Sequence, residues 1–184
     1  MSIQKKVLVL FFHPTQKTSR VGLALSEAVK DLKHVTFRDM YGLYPDFLID
    51  VKREQKVLEE HDLIVFQHPV YWYSCPPLLK LWIDEVFEFG WAYGSGGTKL
   101  HGKILLSAVS AGGSLEAYSA SGFNRCELNM FFMPFDQTAH LCGMRYAKPM
   151  VVYGARGLTD VQMKESCHRY RAILQHYLDA GEVP

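Results

Sequence analysis

Short apolar runs recur along the chain with the length of buried strands. Continuous apolar segments occupy 6–12, 62–67, 103–110 and 145–153, and a more polar segment of similar length occupies 34–39. Apolar runs without polar alternation are typical of strands that are covered on both faces, as in a parallel sheet between helices. The pattern therefore predicts five parallel strands.

Helical patterns separate these runs. Apolar residues recur on one face of 19–32, 77–88 and 159–177, and 51–60 is a shorter candidate. Alternating strands and helices predict an α/β fold, a doubly wound five-stranded parallel sheet with helices on both faces. Such sheets bind ligands at the carboxyl ends of their strands, so the segments after strands 1, 3 and 4 are the places to search.

Two helix starts have the spacing of a capping box, in which residues three apart exchange hydrogen bonds with the backbone. Thr159 precedes Gln162, and Asn124 precedes a glutamate by the same spacing. The second pair predicts a helix over 124–142, which Pro134 should kink.

Length and composition fit a single domain that spans 1–184. Of the 184 residues, 48% are hydrophobic, which is ample for a packed core. Lys and Arg number 20 and Asp and Glu 19, so no charge excess favours nucleic acid or an anionic membrane. The apolar run over 7–12 is too short for a signal peptide, and no run approaches the ~20 residues of a membrane span. We therefore expect a soluble cytoplasmic protein.

The cysteines and histidines match no disulfide or metal motif. Cys75, Cys126, Cys142 and Cys167 lie far apart, with no Cys-x-x-Cys pair, and we expect reduced thiols as in cytosolic proteins. The eight histidines include no His-Glu-x-x-His pair, so we expect no metal site.

The segment after the first strand, 13–20, is rich in hydroxyl groups and opens a helix. It contains neither G-x-G-x-x-G nor a P-loop motif. Lys17 and Arg20 are cationic, and a helix N-terminus favours a phosphate, so the segment suits a flavin nucleotide phosphate. Alternatively, Ser19 only caps the helix.

The segment after the third strand is aromatic and flanked by prolines. Pro69, Val70, Tyr71, Trp72 and Tyr73 follow one another there. The aromatic side chains either flank a planar ring, or pack beneath the loop or in a subunit interface.

The segment after the fourth strand contains adjacent glycines. It reads Ser110, Ala111, Gly112 and Gly113. Glycines let the backbone approach a ligand and expose its amide N–H groups, or they simply make the turn. Because all three segments lie at one edge of the predicted sheet, a shared site is favoured.

Motifs at these strand ends are also recognisable together. They are the His-Pro pair at 13–14, Gln67-His68-Pro69-x-x-Trp72, and Gly112-Gly113-Ser114 with Tyr118. In this combination the chain resembles the flavodoxin-like NAD(P)H:quinone oxidoreductases over nearly its whole length. The segments 44–47, 73–84 and 90–94 resemble the bacterial branch whose members are ancillary subunits of glutathione-gated potassium-efflux systems.

The resemblance implies a flavodoxin-like homodimer with a flavin at each subunit interface. By position, His13, Ser19 and Arg20 would hold the flavin phosphate and ribityl chain. Residues 69–73 would line the ring, and 110–113 would contact its polar edge. Because the chain lacks the C-terminal extension of the longer FAD enzymes, the resemblance implies FMN rather than FAD, with NADH or NADPH as hydride donor.

Two family positions near the reacting edge of the flavin correspond to Tyr118 and Asn124. Tyr118 would be an auxiliary hydrogen-bond donor. The longer enzymes have a histidine where this chain has Asn124, and an amide has no proton to exchange near neutral pH. Asn124 therefore either hydrogen-bonds a quinone oxygen or only caps the next helix.

The resemblance thus implies a two-electron quinone reductase with ping-pong turnover. It also implies an activating subunit of a potassium-efflux antiporter, held by that partner at the cytoplasmic face of the inner membrane. One alternative is a regulatory flavoprotein without turnover, with Phe131, Phe132, Met133 and Phe135 as a docking patch unless they serve packing. A flavodoxin-type electron carrier is disfavoured, because no strongly acidic surface is available to steer it.

Overall fold

A computed structural model describes residues 4–15 and 18–184, so the predicted cation Lys17 lies outside the described residues. The strands are β1 (Val7–Phe11), β2 (Val35–Asp39), β3 (Leu63–Pro69), β4 (Ile104–Ser110), β5 (Arg145–Tyr146) and β6 (Met150–Val152). They form a parallel sheet in the order β2-β1-β3-β4-β5, and β6 also pairs with β4. The predicted doubly wound parallel sheet is confirmed.

The fifth predicted strand, 145–153, is divided into β5 and β6. Both halves pair with β4, and Ala147 still donates its N–H to the carbonyl of Leu105. Pro149 then interrupts the ladder because it has no N–H to donate.

Helices cover both faces of the sheet. They are α1 (Arg20–Glu27), α2 (Met40–Leu43), α3 (Val51–Glu59), α4 (Pro77–Val86), α5 (Met133–Leu141) and α6 (Asp160–Ala180). One core contains residues of α1 and α6, and the other contains residues of α2, α3, α4 and α5. In β1, Val7 and Val9 belong to the first core and Leu8 and Leu10 to the second, and all five side chains of the strand are buried, which explains the unbroken apolar run.

The predicted helix over 124–142 is wrong in its first part. Asn124 lies in a turn, where its N–H donates to the carbonyl of Ala117, and Arg125 has a φ of 59°. The chain becomes helical only at Leu128, in a 3-10 turn that leads into α5. Asn124 is therefore not a helix cap. Pro134 lies in the first turn of α5, where no N–H is needed, so it kinks nothing.

The other predicted helix starts are confirmed. Thr159 and Gln162 form a complete capping box at α6, and Ser19 caps α1. Helix α1 ends at Glu27, short of the predicted 19–32, and the chain continues in turns. Phe132 and Phe135 of the apolar cluster are buried, which confirms a packing role for them, whereas Met133 is exposed.

A buried carboxylate joins three elements on one face of the sheet. Glu54 on α3 is fully buried and pairs with Arg38 of β2. Its Oε1 also accepts a hydrogen bond from the Tyr44 hydroxyl at 2.6 Å, and its Oε2 accepts one from the Trp82 indole N–H at 3.2 Å. These bonds tie α3 and α4 to the sheet through one side chain.

All four cysteines have free thiols. Within residues 4–15 and 18–184, no cluster of three His, Cys, Asp or Glu side chains is arranged to hold a metal ion. No helix in this described part is both long and apolar enough to cross a membrane.

Candidate functional site

A cleft of about 700 Å³ lies at the carboxyl ends of β1, β3 and β4. The parallel register brings these ends to one level, because Phe11 pairs with Gln67 and Pro69 pairs with Ser110. The lining residues are His13, Thr18, Ser19, Arg20, Val21, Pro69, Val70, Tyr71, Trp72, Ser110, Gly112, Ala155 and Arg156. The structure therefore brings together residues predicted from all three segments.

The first wall of the cleft is the N-terminus of α1. The Ser19 hydroxyl accepts a hydrogen bond from the Gly22 N–H at 3.2 Å, so Ser19 does cap the helix, and its own O–H remains able to donate. Gly22 lets α1 approach β1 closely, since a Cβ there would lie 2.9 Å from the Phe11 ring. Gln67 fixes the helix further by donating to the Gly22 carbonyl at 2.9 Å.

Arg20 crosses from this wall to the start of α6. Its guanidinium donates to the Leu158 carbonyl and pairs with the Asp160 carboxylate at 2.7 Å. The pairing neutralises part of the charge that was expected to face a phosphate.

His13 lies between the helix and the aromatic segment. Its Nδ1 accepts a hydrogen bond from the Thr15 N–H at 3.2 Å, and its ring meets Tyr71 edge-on with centroids 6.2 Å apart. Burial lowers the pKa of His13, so the ring is neutral near pH 7 and its proton lies on Nε2. A neutral N–H donor is thereby held at the cleft.

The second wall is a strained two-residue turn. Tyr71 and Ser74 exchange backbone hydrogen bonds, and Trp72 and Tyr73 between them have φ of 48° and 61°. This is the geometry of a type I′ turn, where Asn and Gly are normal and bulky aromatics are costly. Trp72 is nonetheless 93% exposed. Tyr73 turns away from the cleft and packs on Phe131, with ring centroids 5.2 Å apart.

The third wall is the turn after β4. The chain that follows β6 binds its carbonyl groups, because Gly154 donates to Gly113 at 2.8 Å and Ala155 donates to Ala111 at 2.9 Å. The N–H groups of Gly112 and Gly113, in contrast, donate to no protein acceptor among the described residues. The turn is therefore fixed through its carbonyl groups, and the N–H groups of Gly112 and Gly113 remain available to a ligand.

Sequence reasoning missed Ala155 and Arg156, which also line the cleft. They follow the last strand, whose carboxyl end lies at the same edge of the sheet as the others, whereas the predicted site includes only the first, third and fourth strand ends. The glycines at 154 and 157 that flank them were the available signal.

Tyr118 and Asn124 lie outside the cleft. Tyr118 packs behind the third wall, where a Cβ on Gly113 would lie 2.9 Å from its ring, and burial raises the pKa of its hydroxyl. Its ring meets Tyr153 at 6.1 Å and lines a second cavity of about 930 Å³. Asn124 lines neither cavity.

This fold and cleft define a flavodoxin-like protein. The chain belongs to the family described as having a flavodoxin-like fold, whose model matches residues 5–174. The resemblance drawn from the motifs is thereby confirmed.

Relatives within this group are similar over nearly the whole chain. An uncharacterized NAD(P)H oxidoreductase, YdeQ, of Bacillus subtilis is 47% identical over 165 residues, 90% of this chain and 84% of that protein. The glutathione-regulated potassium-efflux system ancillary protein KefG of Erwinia tasmaniensis is 42% identical over 183 residues, 100% of both chains. General stress protein 14 of Treponema denticola, solved in complex with FMN, superposes with a TM-score of 0.85 at 37% identity, covering 96% of this chain and 99% of that one.

Proposed function

We propose that residues 1–184 form one FMN-binding domain that acts as an NAD(P)H:quinone oxidoreductase. The observation that carries this proposal is the third wall of the cleft, which Ser110 and Gly112 line and where the N–H groups of Gly112 and Gly113 donate to no acceptor among the described residues. A flavin ring is flat and apolar over its faces and polar along one edge, so it fits between such walls. FMN is also the ligand of the Treponema denticola relative.

The three walls account for different parts of FMN. The N–H groups at the start of α1, the Ser19 hydroxyl, the His13 Nε2–H and Arg20 are suited to the phosphate and ribityl chain. Residues 69–72 are suited to the ring, whereas Tyr73 faces away from it, and the turn 110–113 is suited to the polar edge. The bound flavin supplies the hydride-accepting chemistry, and the protein supplies orientation and charge.

The reaction proposed is two-electron transfer from NADH or NADPH to a quinone. Both substrates must use the same open side of one cleft, so the oxidised nicotinamide leaves before the quinone enters, which makes the kinetics ping-pong. Tyr118 contributes from behind Gly113, where its ring supports the turn, and its hydroxyl is protonated because burial raises its pKa. Asn124 remains a weaker candidate for contact with the quinone.

The test uses the purified chain with FMN. We expect a yellow protein whose visible absorption bleaches with NADH or NADPH under argon and returns on adding a quinone, with parallel lines in double-reciprocal plots. Gly112→Pro removes one N–H donor and should weaken FMN binding at least tenfold. Gly112→Ala keeps the donor, and its Cβ would meet nothing nearer than Arg156 Nε at 3.7 Å, so it is the matched control. A chain that stays colourless after FMN is added contradicts the proposal.

A homodimer is part of the proposal, because exposed apolar side chains occur in the segments that line the second cavity. Leu115 lines it, and Phe123, Met130 and Met133 each directly follow a lining residue in the chain; all four are more than half exposed. Exposed apolar patches of this kind mark interaction surfaces. Phe123→Glu combined with Met130→Glu should give monomers in sedimentation experiments and weaken FMN binding. Leu48→Glu, at an exposed residue away from the cavity, should remain dimeric.

A second candidate function is activation of a potassium-efflux antiporter from the cytoplasmic face of the inner membrane. The observation that favours it is the full-length similarity to KefG of Erwinia tasmaniensis. The two functions separate in cells that express the antiporter. If Gly112→Pro, isolated without bound FMN, still restores potassium efflux, binding of the protein to the antiporter is enough to activate it. If efflux and reductase activity are lost together, activation depends on the flavin.

A further inference from the structure

Arg156 lies over the turn that follows β4. It belongs to the chain segment after β6 that binds the carbonyl groups of Ala111 and Gly113. Its Nε lies 3.7 Å from the position that a Cβ would occupy on Gly112, and both residues line the cleft. The Arg156 side chain therefore lies at the same wall as the N–H groups of Gly112 and Gly113.

The two arginines of the cleft are held differently. Arg20 donates to the Leu158 carbonyl and pairs with Asp160. Arg156 is exposed and pairs with no carboxylate in the part of the chain that the structure describes. Positive charge is thus partly neutralised at α1 and left uncompensated beside Gly112.

Arg156 contacts the turn after β4, although its segment also runs towards the start of α1. Its Nε lies 3.7 Å from the Cβ position of Gly112, and two residues later the Leu158 carbonyl accepts a hydrogen bond from Arg20. The Arg156 side chain therefore lies at the wall suited to the polar edge of a flavin ring, next to the wall suited to its phosphate.

We infer that Arg156, together with the N–H groups of Gly112 and Gly113, stabilises the reduced form of the bound flavin more than the oxidised form. The inference rests on the proposed function. Two-electron reduction increases the negative charge along the polar edge of the ring, and fixed positive charge beside that edge favours the reduced form. Arg156 sets the reduction potential of the site and is not a phosphate anchor.

The experiment measures the midpoint potential of bound FMN and the dissociation constant of oxidised FMN in four proteins. They are the wild type, Arg156→Met, Arg156→Lys and Lys164→Met, the last removing the same charge from an exposed position on α6. We expect Arg156→Met to lower the affinity for reduced relative to oxidised FMN about three- to tenfold, which for two electrons lowers the potential by about 15–30 mV. Arg156→Lys should retain most of the wild-type potential, and Lys164→Met all of it.

Salt provides a second readout. Because Arg156 is exposed, raising the ionic strength to 1 M, where the screening length is about 3 Å, should shrink the difference between wild type and Arg156→Met.

Three results would overturn the inference while leaving the proposed function intact. If Arg156→Met weakens the binding of oxidised and reduced FMN equally, Arg156 is a phosphate anchor. If Arg156→Met raises the KM for NADPH more than the KM for NADH, and the midpoint potential of bound FMN is unchanged, Arg156 recognises the nucleotide substrate instead. An unchanged potential with unchanged binding would leave it without a role. If the wild type binds no FMN at all, the proposed function itself fails.

Discussion

Glu54 on α3 and the Gly112–Gly113 turn after β4 both place polar groups beside the hydrophobic core, but their hydrogen bonds differ. The carboxylate of Glu54 accepts bonds from the Arg38, Tyr44 and Trp82 side chains. The glycine turn has its carbonyl groups bound, and its N–H groups have no acceptor among the described residues. A buried polar group needs a partner, which Glu54 has, whereas Gly112 is exposed and its N–H is a donor for the proposed flavin.

The largest expected effect tests the Glu54 cluster. Glu54→Gln leaves the mostly buried Arg38 without a counter-charge, so we expect a loss of about 3–5 kcal/mol in the free energy of unfolding, measured by urea denaturation. FMN affinity of the folded protein should stay within twofold of wild type. The control is Glu165→Gln on the exposed surface of α6. If Glu54→Gln lowers the free energy of unfolding by less than 1 kcal/mol, or greatly weakens FMN binding, the Glu54 cluster does not differ from the glycine turn in the way described.

His68, which joins the core to the cleft, gives the next largest effect. Its Nδ1 bonds the Pro69 carbonyl at 2.9 Å, its Nε2 is buried with no hydrogen-bond partner among residues 4–15 and 18–184, and burial lowers its pKa to about 4. The unfolded pKa is near 6.5, so this contribution to stability is complete above pH 6.5 and is lost as the pH falls toward 4, up to roughly 3 kcal/mol.

Urea denaturation across this pH range checks the His68 prediction. His68→Gln retains an N–H donor and should reduce the loss of unfolding free energy between pH 6.5 and 4. His176→Gln, at an exposed position, should leave that loss unchanged. A wild-type stability that does not change between pH 6.5 and 4 would contradict the prediction.

The strained turn should show stability and binding moving in opposite directions. Trp72→Asn with Tyr73→Gly supplies the residues that a type I′ turn favours, so the FMN-free protein should gain about 1–2 kcal/mol. FMN affinity should fall at least tenfold because the Trp72 ring is removed from the cleft. The control is Phe47→Gly, which relieves backbone strain at a residue with a left-handed φ of 66° outside the cleft and should leave FMN affinity unchanged. If the double variant is more stable and binds FMN as tightly as wild type, the strained turn is not needed for FMN binding.

The smallest expected effect separates capping from binding at Ser19. Ser19→Ala and Asp50→Ala each remove a side-chain cap, from α1 and α3, and each should cost about 1 kcal/mol by urea denaturation. FMN affinity, measured by fluorescence quenching, should fall only in Ser19→Ala. Equal affinities in the two variants would leave Ser19 as a cap alone.

The strands and most helices could be predicted because burial on both faces of the sheet leaves a direct mark on the sequence. The unbroken apolar run of β1 is an example, since its side chains alternate between two cores. The helix predicted to begin at Asn124 does not begin there, for a physical reason. The capping-box spacing is present, but the Ala117 carbonyl takes the Asn124 N–H and Arg125 adopts a left-handed φ, so tertiary packing overrides the local pattern.

The candidate site was predictable where the contributing segments follow apolar strands. His13, Pro69 and Ser110 are such cases, since strand ends in a parallel sheet meet at one edge. The placement of Tyr118 behind Gly113 and of Arg156 over Gly112 was not, because both depend on packing between segments far apart in the chain. Whether Tyr118 takes part in catalysis stays a prediction.

The hydrogen bonds that hold the third wall also fix when it can form during synthesis. The Ala111 N–H donates to Val152, and the carbonyl groups of Ala111 and Gly113 accept from Ala155 and Gly154, about forty positions later in the chain. The strands β1 to β4 can leave the ribosome and begin to pair while this wall is still unformed. A polypeptide that ends before residue 152 therefore lacks every one of these partners of the third wall, so the wall can be completed only near the end of translation.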